Sequence, residues 1–185
     1  LYKYFLEKVK KCNFDEVYVD SDSIEIMNYC KKSKINFIKR KKSLAQNNAN
    51  GNDLLNYHSS IIKSEIYFQL FITAPMLTIK TINNCINFLK TKKNFDSILT
   101  CNKIYSWFWF KNKPVNYKPK TLPRSQDAQP IIMESTGLYG IRNKALKKYK
   151  CRIGKNPYFF EVSKKEALDL DTKEDFKILK TYLKN

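Results

Sequence analysis

At 185 residues and 43% hydrophobic content the chain can form one domain with a sizeable core, and 35 Lys and Arg against 17 Asp and Glu give a formal charge of +18. That excess suits an anionic partner, but the cations are mostly lysines dispersed among Asn and Ile, and the densest run, Lys39-Arg40-Lys41-Lys42, is short; they read as a solvated surface with a smaller role in steering an anionic ligand. Five cysteines, odd in number and widely spaced, support neither a disulfide framework nor a zinc site and favour a reducing, cytoplasmic setting; no apolar run approaches a membrane span and no signal peptide is visible.

The first eleven residues are amphipathic, with Tyr2, Phe5, Leu6 and Val9 on one side of a predicted helix. Residues 14–19 predict a strand that ends at Asp20-Ser21-Asp22-Ser23, where Ser23 can cap a helix with Ile24, Met27 and Cys30 as its apolar contacts. A short strand over residues 36–39 leads into the basic run, and a polar loop, residues 46–53, enters a helix through Leu54, Leu55 and Ile61. Residues 66–72 form a near-continuous apolar run, the pattern of a central parallel strand covered on both faces, and break at Thr73-Ala74-Pro75. Ile79, Ile82, Ile86 and Leu89 then mark the clearest helix in the chain.

Strands are predicted at residues 95–101 and 107–110, the second, Trp107-Phe108-Trp109-Phe110, as core and cover. Four prolines, Pro114, Pro119, Pro123 and Pro130, make the stretch between residues 113 and 130 an extended excursion, from which residues 134–139 return to the body. A helix over residues 144–149 and a strand over residues 158–162 follow. Strands alternating with helices predict a single α/β layered domain with a mainly parallel sheet.

Near the C-terminus residues 167–171 alternate as a short strand would, which puts Asp169 and Asp171 on one face with Cβ atoms about 7 Å apart. Thr172 follows as an N-cap, Asp175 completes a capping-box variant, and Phe176, Leu179 and Leu183 form a helical stripe. Two carboxylates at a strand-to-helix junction can hold a hard divalent ion together with substrate phosphates; the same spacing suits a solvated pair ahead of a helix, which is the commoner case. His58 has no recognisable nucleophile partner and reads as a packing residue. Arg124-Ser125-Gln126-Asp127 could hold a carboxylate bidentately, although loop polarity alone also accounts for it.

Taken in order, these segments resemble the cytidylyltransferases that activate sialic and related nonulosonic acids. The resemblance rests on residues 14–23, on Arg40 followed by Leu44-Ala45, and on Thr73-Ala74-Pro75. It continues through Pro123-Arg124-Ser125-Gln126-Asp127, Glu134, Gly137-Leu138-Tyr139 and Asp169-Leu170-Asp171. It implies a three-layer, mainly parallel twisted sheet of the nucleotide-diphospho-sugar transferase type, with residues 113–140 as a sugar-binding and dimerisation excursion. The implied reaction is attack of a sugar-acid hydroxyl on the α-phosphate of CTP, releasing pyrophosphate. Asp169 and Asp171 would be the catalytic Mg²⁺ ligands, and Arg40, Asn47 and Asn50 would lie by the nucleotide. Gln69, Arg124, Gln126 and Tyr139 would orient the sugar acid, with Phe159 and Phe160 on its apolar side. The implied assembly is a homodimer that engages neither nucleic acid nor membrane.

Three departures stand out. Phe71 occupies the place of a glutamine, for which Gln69 on the same strand face can substitute, and Asn47 the place of an acidic residue. The family's first strand and its glycine- and lysine-bearing nucleotide loop would precede Leu1. The expectation is therefore an N-terminally truncated enzyme, inactive as this piece alone. The rivals are a dimerising relic without chemistry and a basic nucleic-acid module.

Overall fold

The structure, a computed structural model, describes residues 1–121 and 123–184. Helix α1 (Tyr2–Val9) buries Phe5, Leu6 and Val9, as its apolar periodicity requires. Strand β1 (Tyr18–Ser21) begins later than residues 14–19 suggest and carries Asp20 within it. Ser23 caps helix α2 (Ile24–Lys32) by accepting from the Ile26 amide. Of that helix's expected contacts only Cys30 is buried; Ile24 and Met27 face solvent. Strand β2 (Asn36–Lys39) runs parallel to β1. Helix α3 (Gly51–Ile61) starts at a full capping box, in which Asn50 accepts from the Asn52 and Asp53 amides and Asp53 accepts from the Asn50 amide. Strand β3 (Ile66–Leu70) and helix α4 (Ile79–Thr91) follow, and α4 buries Ile82, Cys85, Ile86 and Leu89.

Strand β4 (Ser97–Ile104) leads to a small exposed hairpin, β5 (Trp109–Phe110) with β6 (Lys113–Pro114). Trp109 and Phe110 are 58% and 67% exposed, which corrects the reading of this run as core. The return strand β7 (Ile131–Arg142) is longer than expected and runs antiparallel between β3 and β4. Helix α5 (Asn143–Tyr149), strand β8 (Pro157–Glu161) and helix α6 (Lys173–Lys184) complete the chain. Since β7 opposes both β3 and β4, and β8 is parallel to β4, strands β3, β4 and β8 share one direction and β7 alone is reversed. The main core gathers Leu77, Ile82, Ile86, Leu89, Ile98 and Leu138 between α4 and this sheet.

The sheet is split. Among the described residues β1 pairs only with β2, and β3 only with β7, so that the apolar run at residues 66–72 is not a central parallel strand. Between them lies a cavity of about 930 Å³, bordered in unbroken succession by residues 17–21 and 66–72, with Leu6 of α1 and Leu55 of α3 also on its wall. Successive strand residues point to opposite faces, so an unbroken run marks the strand's edge rather than one of its faces. Two sheet edges face the same gap.

Candidate active site

The site forms where β7 is interrupted. Its pairing with β4 shifts register between Leu99 and Cys101, and the extra residues of β7, Ser135, Thr136 and Gly137, bulge out. Buried Thr100 holds the bulge, accepting from the Ser135 hydroxyl at 2.7 Å and from the Leu138 amide at 3.1 Å. Thr136 is left with φ of 54°, a left-handed conformation that a β-branched residue adopts only under constraint. Its hydroxyl donates to Asp169 Oδ2.

Asp169 and Asp171 sit in a connection rather than on the predicted strand. The Leu170 amide, between them, donates to the Thr73 carbonyl at 2.8 Å, docking the connection on the Thr73-Ala74-Pro75 turn. That turn is itself braced by Lys8 of α1, whose ammonium donates to the Leu77 carbonyl at 2.8 Å and to the Pro75 carbonyl. Thr172 and Asp175 form the expected reciprocal cap of α6. Asp169 is half-buried with Oδ1 buried and unpartnered, whereas Asp171 is exposed. Among the described residues no group of three or more His, Cys, Asp or Glu converges. Two carboxylates, one with an orphan oxygen, fit an ion that keeps several waters and completes its shell with substrate phosphate, as Mg²⁺ does.

Glu166 fixes the start of this connection on the N-terminus of α4, accepting from the Thr81 hydroxyl at 2.6 Å, the Thr78 hydroxyl at 2.9 Å and the Thr78 amide at 3.1 Å. Burial pushes its carboxyl up, but the bonds from Thr81, Thr78 and Ser163 outweigh that and hold it below its ordinary 4.5. A depressed folded value means stability that is complete above the unfolded value and lost as pH falls through the folded one. Glu166→Gln is expected to lower stability by about 1.5 kcal/mol near neutrality. Urea titrations should show the gap between variant and parent closing as pH falls below that ordinary value and the parent's own carboxyl protonates.

A row of side chains crosses the sheet on one face, because residues paired across neighbouring strands project together. Gln69 pairs with Tyr139, Tyr139 with Leu99 and Leu99 with Phe159. Tyr139 is buried and its hydroxyl donates to Glu134 at 2.6 Å; burial, then that bond, raises its pKa. Gln69 donates to the Gly51 carbonyl at 3.0 Å and leaves its buried Oε1 unpartnered. Over the Tyr139 ring lies Arg152, its guanidinium carbon 3.6 Å from the ring centroid.

The remaining sequence candidates are placed elsewhere. Phe160 pairs with Thr100, on the opposite face from Tyr139, and packs against the main core, so it does not line this row; Phe159 does, half-exposed. Arg124 is exposed and turns onto Asp127 at 2.7 Å, Gln126 is exposed, and among the described residues no hydrogen bond ties either to Tyr139. Asn50 spends its side chain on the α3 cap, while Asn47 is exposed. Arg40 is fixed by Asp20, donating through Nε at 2.9 Å. Asp20 also meets His58 at 2.5 Å. Burial alone would raise the Asp20 pKa, and His58 and Arg40 bring it below its usual range. His58 is thus a hydrogen-bond partner of Asp20 on the cavity wall, beyond the packing role read from sequence.

A profile of the cytidylyltransferases matches residues 1–184. The chain belongs to the cytidylyltransferase family. The chain is 25% identical over 174 residues to a Helicobacter pylori protein described as pseudaminic acid cytidylyltransferase and UDP-2,4-diacetamido-2,4,6-trideoxy-beta-L-altropyranose hydrolase. That match takes in 89% of this chain but only 34% of the relative, so the chain spans about a third of that protein's length. Its fold is also that of CMP:2-keto-3-deoxy-manno-octonic acid synthetase, solved with CTP, at a TM-score of 0.70 and 13% identity over 98% of this chain and 86% of the other. The 4-diphosphocytidyl-2C-methyl-D-erythritol synthase of Anaerococcus prevotii superposes at 0.72 and 12% identity, over 99% of this chain and 85% of the other. The nucleotide-diphospho-sugar transferase-like fold of the chain is thereby established. Sequence reasoning passed over Thr136 and Arg152; the unusual backbone of the first and the isolated charge of the second emerge only in three dimensions.

Proposed function

We propose that the chain is the nucleotidyl-transfer domain of a cytoplasmic enzyme that activates a nonulosonic acid with CTP, forming the CMP-sugar and pyrophosphate. The alignment with the pseudaminic acid cytidylyltransferase over 89% of the chain carries this reading. The orphan oxygens of Asp169 and Gln69 support it, since both await a partner. In-line displacement at phosphorus needs positioning and charge neutralisation more than covalent chemistry. Asp169 and Asp171 would hold Mg²⁺, which when bound would supply charge neutralisation to the phosphates and lower the pKa of the attacking hydroxyl. Thr136 keeps one Asp169 oxygen occupied and so aims the other. Gln69, Tyr139 and Phe159 provide the face on which the sugar acid rests, and Asp20 fixes Arg40 for the nucleotide.

The split sheet supports a second part of the reading. Helices α2, α3 and α4 each connect two strands, and the gap between the β1 and β3 edges has the form of one more. A strand entering α1 from ahead of Leu1 would fill it, and the turn after that strand would bring a triphosphate-binding loop to the same end of the sheet. The exposed Trp109, Phe110, Val115 and Met133 support a dimer built through the excursion.

The test is the parent open reading frame, expressed with the residues encoded ahead of Leu1. Expected are Mg²⁺-dependent pyrophosphate release from CTP with pseudaminic or another nonulosonic acid, and sedimentation as a dimer. A folded protein that neither binds CTP nor releases pyrophosphate with any such acid would overturn the reading in favour of a non-catalytic relic.

A further inference from the structure

We infer that Arg152 grips the oxyanion of the substrate in this site, with the sugar acid's carboxylate, rather than a phosphate, as the group it is placed to meet. The inference rests on the proposed reaction and names a residue for it. Arg152 is half-buried, and among the described residues no carboxylate lies within ion-pairing distance of it. Its guanidinium instead lies over aromatic rings, its carbon 3.6 Å from the Tyr139 centroid and 5.6 Å from that of Phe71. Stacking secures the plane of a guanidinium and leaves the N–H groups along its edge to bind a planar carboxylate in two places. A partly buried cation stacked on a ring but unpaired by charge is costly unless an anion arrives.

The surroundings supply the complementary half. A Cβ built on Gly51 would lie 2.5 Å from Arg152 Nη1 and 3.3 Å from Gln69 Oε1, so cation and orphan acceptor flank one small space that the missing side chain keeps open. Gln69 is 9% exposed, and its Oε1 needs a donor that the described residues do not provide. A ligand that offers an acid group to Arg152 and a hydroxyl or amide N–H to Gln69 satisfies both. A sugar acid carries those groups close together; a nucleotide phosphate carries the first alone.

The backbone that carries Arg152 is fixed independently of any ligand. The Arg152 amide donates to Asn52 at 2.9 Å, the Gly154 amide to Ser97 at 2.8 Å, and the Lys155 amide to Asp96 at 2.8 Å. Lys150, in the left-handed conformation at φ of 54°, ends α5 and turns the chain into this segment. Arg124, the arginine singled out by sequence, meanwhile faces solvent with Asp127.

The experiment compares Arg152→Gln, Arg152→Lys and Gly51→Ala in the full chain, by steady-state kinetics varying each substrate separately. Calorimetric titration with sodium N-acetylneuraminate and with CTP provides a readout that does not need turnover. Arg152→Gln is expected to raise KM or Kd for the sugar acid about thirtyfold and to leave that for CTP within about twofold. Arg152→Lys keeps the charge but not the fork and should recover little of the loss. Gly51→Ala, at the first residue of a helix, should keep the melting temperature while weakening the sugar acid by displacing the guanidinium. A selective loss for CTP would overturn the inference, because the anion met by Arg152 would then be phosphate. Unchanged affinity for both ligands, or equal losses for both accompanied by a lower melting temperature, would overturn the inference. If the parent protein binds N-acetylneuraminate but turns nothing over, the proposed reaction fails while the titrations still decide Arg152.

Discussion

Asp169→Asn in the full-length enzyme is expected to lower kcat for pyrophosphate release about a thousandfold, the scale on which removal of one preorganised electrostatic group acts. The substitution is nearly isosteric. The amide oxygen can still accept from the Thr136 hydroxyl, so the strained bulge of β7 keeps its tie to the connection. The buried Oδ1 is what changes. As a carboxylate oxygen it is an acceptor with no partner in the protein; as an amide nitrogen it would carry two hydrogens into the position meant for a cation. Melting temperature and CTP-independent properties should therefore stay within experimental spread while chemistry is lost, and raised Mg²⁺ should restore little. Asp171→Asn should act in the same direction but less, because that side chain is exposed and water can replace part of its role. Near-normal turnover by Asp169→Asn, at saturating CTP and Mg²⁺, would remove the metal assignment altogether.

Those two carboxylates could be picked out from sequence, but not their setting. Alternation over residues 167–171 suggested a strand, whereas Glu166 on the end of α4 and Leu170 on Thr73 hold the segment as a connection. Helices with a strong period were the readable part: α4 buries the residues its spacing selects. In β3, the continuous apolar run carried no information about edges or about which face is covered: Tyr67 and Gln69 are buried, Ile66, Phe68 and Leu70 only half-buried, and one edge borders the cavity. Strand β7 was underestimated at its ends, since Ile132 and Met133 are both exposed and so show no alternation, and Gly140 has no side chain to mark the pattern. The aromatic run at Trp107–Phe110 has core composition yet leads into a hairpin whose Trp109 and Phe110 are exposed, and composition alone does not tell the two settings apart. Arg152 meets Tyr139 only after the chain has turned through α5, and no local spacing encodes that encounter.

Gly140→Ala is expected to destabilise the domain by about 2 kcal/mol, a fall in melting temperature of roughly 6 °C for a chain of this size. The glycine pairs with Phe68 on one side and Ile98 on the other, at the centre of the β3–β7–β4 ladder. A Cβ there would come 2.4 Å from Phe68 Cε1 and 2.8 Å from Ile98 Cγ2, both far inside contact distance. Its value lies in space, since its φ is not in the left-handed region. Alanine would by itself favour folding by up to about 1 kcal/mol, because it restricts the unfolded chain. Overpacking must exceed that gain, and the neighbours have little room to yield: Ile98 is fully buried, and Phe68 stands against Phe14 at 5.7 Å between ring centroids. The second substitution Phe68→Leu separates this cause from a backbone effect. Alone it should destabilise through the cavity it leaves. Combined with Gly140→Ala it should cost less than the sum, since the new methyl occupies part of the vacated ring volume. Strict additivity in thermal or urea unfolding would mean that the ring does not press on residue 140.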